Sequence, residues 1–208
     1  MNSILLSFKA YDKAFFSIVF DGSSKLSTTD KTDVKAFIKN LLNEYTINAN
    51  HSANILQYYE DGYTEATCLD IKDQSSANTL DSYVEGIIIA GVGTSITKGL
   101  TLAQNEIVVA ECLGTEADRK KVVFLIAASE DEPSISTPKT LLGEANALKA
   151  LGVEIYAIGM NNANQTALGL VTGDPKRVTM LSTYSELVAE DLAVTVNRLL
   201  EIEGLILT

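Results

Sequence analysis

A carboxylate and a hydroxyl directly follow the first strongly apolar stretch of this chain. Residues 15–20 read FFSIVF, and this nearly continuous aromatic and β-branched composition predicts a strand covered on both faces, as in the middle of a parallel sheet. Asp21 and Ser23 come next in the chain, so they would stand at the carboxyl end of that strand. Ligands of open α/β sheets bind outside the carboxyl ends of the strands, which makes Asp21 and Ser23 candidate binding residues.

The same two residues also allow an enzymatic hypothesis, in which an α/β-hydrolase-like protein uses Asp21 and Ser23. The sequence offers no G-x-S-x-G motif for a nucleophile, and its single histidine, His51, is predicted to lie in a polar surface loop. Cys68 is predicted to lie within a strand, where a nucleophile is poorly exposed. The Gly91-Val92-Gly93 run has no third glycine at dinucleotide spacing and follows a predicted helix. The sequence therefore favours a non-enzymatic protein without a nucleotide cofactor.

The amino-acid composition argues against some classes of binding partner. The chain has 208 residues, 46% hydrophobic and 21% charged, which fits a single globular domain over residues 1–208 with a core at about 15–200. A formal net charge of −11 argues against a nucleic-acid partner, and the basic cluster at residues 119–121 is interpreted as a solvated loop. The longest apolar run, residues 87–92, is too short to insert into a membrane. Cys68 and Cys112 leave the redox compartment open.

Apolar periodicity predicts alternating strands and helices. Residues 52–59 and 63–71 form two strand-like runs around Glu60-Asp61-Gly62, which indicates an antiparallel hairpin at one sheet edge. Further strands are expected at residues 121–127, 153–159 and 177–181, and helices at residues 33–42, 80–89, 97–111, 137–150, 165–171 and 185–201, with Thr29 or Thr32, Thr137 and Ser185 as helix caps. This order predicts an α/β fold with an open, mostly parallel sheet between two helical layers. Within the sheet, strand 15–20 should lie near the centre, between strands 52–59 and 121–127.

Three segments resemble the von Willebrand factor A domain, also called the integrin I-domain fold. They are FFSIVFDGSS at residues 15–24, GVGTSITKGL at residues 91–100 and KALGVEIYAIGM at residues 149–160. They occur in the family's order, and the resemblance covers about residues 15–200. It implies a three-layer fold in agreement with the pattern of predicted elements.

The resemblance also implies a position for a metal-ion-dependent adhesion site. In that family, Asp-x-Ser-x-Ser, a Thr from a second loop and an Asp after the fourth strand hold Mg²⁺, and the partner's carboxylate completes its coordination. Asp21, Ser23 and Thr94 match this pattern. Lys25 replaces the second serine and Ala128 replaces the second aspartate. We therefore expect no bound metal and no cofactor; if Mg²⁺ binds at all, Asp21, Ser23 and Thr94 are its expected ligands.

The residues around these departures complete the candidate site. Glu130 and Asp131 follow Ala128 closely and offer carboxylates near the missing one, while the ammonium of Lys25 is expected to reach back toward Asp21 as an internal substitute for the ion. A simpler interpretation stays open, in which Asp21 caps a turn, Ser23 bonds its own loop and Thr94 is a helix N-cap.

The function that the resemblance implies is protein binding without catalysis. Members of the family commonly bind collagen or other matrix proteins, so an extracellular adhesion or matrix partner, with a secreted protein, is the first expectation. An intracellular scaffold within a larger cytoplasmic complex is the alternative.

Overall fold

The computed structural model describes residues 14–44, 51–59, 63–69, 77–109, 119–129, 140–160 and 162–189, and their centre is a six-stranded sheet. The strand order is β3-β2-β1-β4-β5-β6. The strands are β1 (Ala14–Asp21), β2 (His51–Tyr58), β3 (Tyr63–Leu69), β4 (Lys120–Ala127), β5 (Val153–Met160) and β6 (Val178–Leu181). β3 pairs antiparallel with β2, and the other neighbouring strands pair in parallel. The predicted α/β architecture is confirmed, and so is the central position of β1 between β2 and β4.

Five α-helices accompany this sheet in the described part of the chain. They are α1 (Thr28–Glu44), α2 (Ala77–Gly86), α3 (Ile96–Val109), α4 (Leu141–Ala150) and α5 (Gln165–Thr172). None of them combines the length and the apolar composition needed to cross a membrane.

Helix ends differ from the sequence prediction where several residues could serve as caps. Ser27, and neither Thr29 nor Thr32, caps α1: its Oγ accepts from the Asp30 N–H at 3.1 Å, and the Asp30 carboxylate accepts from the Ser27 N–H at 3.0 Å. α4 is capped by Thr140, whose side chain accepts from the Gly143 N–H, so the predicted start at Thr137 is wrong.

Two of the predicted helices differ from the structure, one in its end and the other in its type. α2 ends at Gly86, and residues 87–90 are neither helix nor strand, although 80–89 was predicted as helix. The helix predicted from Ser185 is instead a 3₁₀ helix, Tyr184–Val188, whose Glu186 carboxylate accepts from the Thr183 N–H at 3.0 Å. Ala189 then has an extended backbone, and the remainder of that predicted helix lies outside the described residues.

Both faces of the sheet are packed, which explains the unbroken apolar sequence of β1. Phe16, Ile18 and Phe20 point to the face covered by α1, α2 and the 3₁₀ helix, and Phe15 and Val19 point to the face covered by α3, α4 and α5. All eight residues of β1 are buried. The position of its carboxyl end is therefore fixed by two hydrophobic cores at once.

Lys120 and Lys121 of the basic cluster begin β4 and Arg119 directly precedes it, so the interpretation of the cluster as a solvated loop is wrong. Arg119 donates from Nη1 to the Ser52 hydroxyl at 2.8 Å, and Lys120 forms an ion pair with Glu154. Lys121 donates to the Leu151 carbonyl at 3.4 Å. These contacts join the start of β4 to β2 and β5.

His51 also lies in a strand, because it begins β2, so its predicted position in a loop is wrong. Cys68 lies in β3 as expected, and Cys112 is outside the described residues.

Removing one ring from the aromatic row should destabilise the fold strongly. Phe124 is 1% exposed, and its ring lies 6.0 Å from that of Phe16 and 5.8 Å from that of Tyr156. We expect Phe124→Ala to lower the free energy of unfolding by about 3–5 kcal/mol in urea denaturation, because a cavity forms in the core. Val108→Ala, at a residue 63% exposed, is the control and should change it by less than about 0.5 kcal/mol. A loss below about 1 kcal/mol for Phe124→Ala would contradict this packing.

Candidate functional site

The candidate site begins where β1 ends. Asp21 is 3% exposed, and its Oδ1 accepts from the Ser23 N–H at 2.8 Å, so the carboxylate closes a tight turn. Gly22 donates from its backbone N–H to the Tyr58 carbonyl at 2.8 Å, which keeps the chain against β2. A Cβ at Gly22 would lie 1.9 Å from the Gln57 side chain, so this close approach requires glycine.

A second loop, residues 87–95, is joined to this turn through the backbone. The Gly91 N–H donates to the Gly22 carbonyl at 2.9 Å, and the Ser24 N–H donates to the Gly91 carbonyl at 2.6 Å. Gly93 has a φ of 72°, a left-handed conformation that suits glycine. This backbone pairing places Thr94, which is 2% exposed, beside the end of β1. The structure thus brings together Asp21, Ser23 and Thr94, as the sequence predicted.

The simpler interpretation of these three residues holds for Asp21 alone. Asp21 does cap a turn, but the Ser23 hydroxyl does not bond its own loop: its Oγ is fully buried and has no hydrogen-bond partner among the described residues. Thr94 is not the N-cap of α3, because the Lys98 N–H donates to the Ser95 Oγ at 3.4 Å. A buried hydroxyl without a partner is costly, so Ser23 is retained at an energetic disadvantage.

The end of β4 contributes a hydroxyl that sequence reasoning missed. Ser129 donates from its Oγ to the Thr94 Oγ1 at 3.0 Å. The preceding Ala128 is half-buried and presents a methyl group where the family pattern has a carboxylate. The signal that could have found Ser129 is its position two residues beyond a central parallel strand, at the same edge as Asp21.

The remaining predicted site residues stand at the periphery or beyond the described chain. Lys25 is exposed, and an ion pair between its ammonium and Asp21 stays a prediction. Glu130 and Asp131 are outside the described residues.

Two large apolar side chains of the loop at residues 87–95 are exposed to solvent. Ile88 is 76% exposed and Val92 is 72% exposed. The Ile88 carbonyl accepts from the Gln57 side-chain amide at 3.1 Å, which holds this loop to β2. The edge therefore has a buried polar floor, made of Asp21, Ser23 and Thr94, beside an exposed apolar rim, made of Ile88 and Val92.

The charge of Asp21 affects the pKa of a buried tyrosine, Tyr184. Tyr184 packs in the core beside α1, and its hydroxyl has no hydrogen-bond partner among the described residues. Burial raises the pKa of Tyr184 well above its ordinary value, and the negative charges of Asp21 and Asp30 raise that pKa further.

The family model of the von Willebrand factor type A domain matches residues 17–192 of this chain. The chain belongs to this family. The match runs from β1 to beyond the 3₁₀ helix and includes Asp21, Ser23, Thr94 and Ser129.

Known proteins similar to this A domain include matrix components. The human collagen alpha-1(XX) chain is 26% identical over 183 residues, which are 86% of this chain and 13% of that protein. Proximal thread matrix protein 1 from the mussel byssus has a similar structure, with a TM-score of 0.77 and 21% identity over 90% of this chain and 47% of that chain. A further structure of the mussel protein has a zinc-occupied MIDAS motif, with a TM-score of 0.75 and 19% identity over 92% of this chain and 46% of that one. This chain thus spans less than half of each of these relatives.

Replacing the buried phenol should change how stability depends on pH. The pKa of Tyr184 is raised in the folded protein. Its contribution to the free energy of unfolding is therefore fully present below pH 10.0, the ordinary tyrosine pKa, and is lost as the pH rises above that value, because only the unfolded state ionises there. We expect Tyr184→Phe to be as stable as the parent at pH 7 or more stable by up to about 1 kcal/mol, since an unpartnered hydroxyl is removed. Urea denaturation from pH 8 to about pH 11 should show a steeper loss for the parent chain. Parallel profiles for the two proteins would show that Tyr184 does not carry this dependence.

Proposed function

We propose that this A domain is a non-enzymatic, extracellular protein-binding module that recognises a matrix protein, such as a collagen, at the carboxyl edge of β1 and β4 without a bound metal ion. The observation that carries the proposal is the buried polar floor beside an exposed apolar rim. The similarity to a collagen chain and to a byssal matrix protein supports the matrix assignment. Glu130 and Asp131, which follow Ser129 directly in the chain, are proposed to border the same edge, as is Lys25.

The position of the single histidine supports a role without catalysis. His51 pairs in register with Ala14 at the start of β1, whereas Asp21 pairs with Tyr58 at its end. Seven residues of strand separate the two positions, which corresponds to about 23 Å. A histidine at that distance cannot serve Ser23 as a general base, because proton transfer needs hydrogen-bond contact.

The residues at the edge do not fit the ion that the family's motif implies. Ala128 supplies no oxygen, and Lys25 has an ammonium where the motif has a hydroxyl. Two like unit charges 4 Å apart repel by about 4 kcal/mol at an effective dielectric constant of 20, so an ammonium disfavours a cation beside it. The Thr94 hydroxyl is also engaged by Ser129. Within the described ranges, no group of three or more His, Cys, Asp or Glu residues is placed to hold a metal.

Binding to matrix should therefore be independent of divalent cations. We expect the immobilised chain to retain collagen or other proteins from a matrix extract equally well with and without EDTA, and to retain little from a cytosolic extract. The variant Val92→Glu should abolish this binding, because it places a charge on the apolar rim. Val108→Glu, on a similarly exposed valine of α3, is the matched control and should bind normally.

Three results would count against this function. Binding that EDTA removes and Mg²⁺ restores would show a metal-dependent site. Preferential capture from cytosol would favour the scaffold alternative. Equal loss with both valine variants would place the contact away from this edge.

Rebuilding the motif should create a metal site on the same scaffold. We expect the variant Lys25→Ser with Ala128→Asp to melt at a higher temperature in Mg²⁺ than in EDTA, because a ligand that binds only the folded state stabilises it. Adding Ser129→Gly should enlarge the rise, since it releases the Thr94 hydroxyl. At a hundredfold excess over the dissociation constant the gain is about 2.7 kcal/mol, or roughly 5–10 °C for a chain of this size.

The unaltered chain is the control and should show no Mg²⁺-dependent rise. If its melting temperature already increases with Mg²⁺, the native residues form a working metal site and the metal-free proposal is wrong.

A further inference from the structure

The connection between β5 and α5 contains an acceptor sequence for N-linked glycans. Residues 164–166 read Asn-Gln-Thr, which is the pattern Asn-x-Ser/Thr with a residue other than proline in the middle. We propose that Asn164 is an N-glycosylation site, which carries an oligosaccharide once the chain has entered the secretory pathway. This inference rests on the extracellular location in the proposed function, because the enzyme that attaches such glycans acts on secreted chains.

The surroundings of Asn164 suit a large polar group. β5 ends at Met160 and α5 begins at Gln165, so Asn164 stands where a buried strand has ended and a surface helix begins. Asn164, Gln165 and Thr166 are all exposed in the folded chain. An oligosaccharide is bulky and strongly solvated, and at this position it remains in water without displacing the core.

The helix cap that Asn164 provides is compatible with a glycan. Its Oδ1 accepts from the Ala167 N–H at 3.0 Å and so caps α5. An N-linked glycan is attached to the other amide atom, Nδ2, and leaves the carbonyl oxygen in place as an acceptor. The cap and the glycan therefore use different atoms of one side chain, and glycosylation does not require the start of α5 to open.

The reaction is a group transfer to the amide of Asn164. Its co-reactant is an oligosaccharide joined through its first sugar carbon to a lipid pyrophosphate. The bond between that carbon and the pyrophosphate oxygen breaks, and a bond between the carbon and Nδ2 forms. Nδ2 gives up one proton, and the lipid pyrophosphate leaves with the electron pair of the broken bond. The step is redox-neutral.

This position lies at the same edge of the sheet as the candidate binding residues. β1, β4 and β5 run in parallel, so the connection after β5 leaves the sheet at the edge where β1 ends. β4 separates β5 from β1, which puts these two strands about 10 Å apart. The loop at residues 87–95 bonds instead to the turn after β1 and to β2, the neighbour of β1 on the side away from β5. A glycan at Asn164 therefore borders the proposed binding edge from the β5 side.

A second acceptor sequence, Asn50-His51-Ser52, has different surroundings. Ser52 is 3% exposed within β2, and its hydroxyl accepts from Arg119 at 2.8 Å. The hydroxyl of this sequence is thus inside the folded sheet, whereas that of Thr166 is in solvent. Asn50 is outside the described residues, so the inference is confined to Asn164.

The test uses the complete chain, joined to a secretory leader and produced in cultured animal cells. We expect the chain to migrate faster on a denaturing gel after treatment with peptide N-glycosidase. That enzyme converts a glycosylated asparagine to aspartate, so mass spectrometry should find aspartate at residue 164 in the treated chain. Both the secreted chain and any chain retained in the cells are analysed, so poor secretion does not prevent a result.

Two substitutions should remove this glycan by different routes. Asn164→Asp removes the acceptor nitrogen and keeps an oxygen that can cap α5, and Thr166→Ala removes the hydroxyl of the acceptor sequence. Thr166→Ser keeps a hydroxyl and is the matched control, which should retain the glycan. Asn50→Gln removes the second acceptor sequence and should leave the glycan at Asn164 unchanged.

An unmodified Asn164 in the chain from the secretory pathway overturns the inference. A gel shift that persists in both Asn164→Asp and Thr166→Ala also overturns it when Asn164 itself is unmodified, because the glycan then lies elsewhere. The matrix function is decided separately, by the capture assay with chain made in the bacterial cytosol, where this transfer does not occur. Matrix binding by that chain together with an unmodified Asn164 in animal cells leaves the proposed function standing without the glycan. A glycan at Asn164 without matrix binding supports the glycosylation inference alone.

Discussion

The parallel pairing of β1 with β2 and β4 is the constraint on which the site depends. β1 is buried on both faces, and shifting it by one residue would turn every core side chain to the opposite face. Its register is therefore held by hydrophobic burial along the whole strand, and Asp21 is carried to the sheet edge as a consequence. The apolar residues position the polar ones, although none of them need contact a ligand.

Backbone hydrogen bonds, more than side-chain contacts, assemble the edge. The Gly22 backbone forms hydrogen bonds to Tyr58 and to Gly91. These bonds hold the turn after β1 and the loop at residues 87–95 together through backbone atoms. The Asp21 carboxylate and the Thr94 hydroxyl add side-chain hydrogen bonds to this framework, whereas the Ser23 hydroxyl does not. It is fully buried without a partner in the described chain, and such groups usually reduce stability. Retaining it is a cost that a binding role would explain.

Sequence patterns predicted the strands better than the helix ends. Strands were recognisable because buried runs such as β1 and β4 have a distinctive composition, and the Asp-Gly signal indicated the β2–β3 pairing that the structure has. Helix starts failed where hydroxyl residues cluster: Ser27 and Thr140 are the actual caps, and their neighbours have the same chemistry, so only tertiary packing decides.

Some residues of the candidate site were predictable from the sequence and others were not. Asp21, Ser23 and Thr94 were predictable from strand ends and from the family resemblance, and the structure brings them together. Ser129 was missed because its role comes from a contact with Thr94, 35 residues away in sequence. Tyr184 was missed for a related reason: burial raises its pKa, and the negative charge of Asp21, distant in sequence, raises that pKa further. Any cation that neutralises Asp21 must lower that pKa, so the edge and the 3₁₀ helix are coupled through charge.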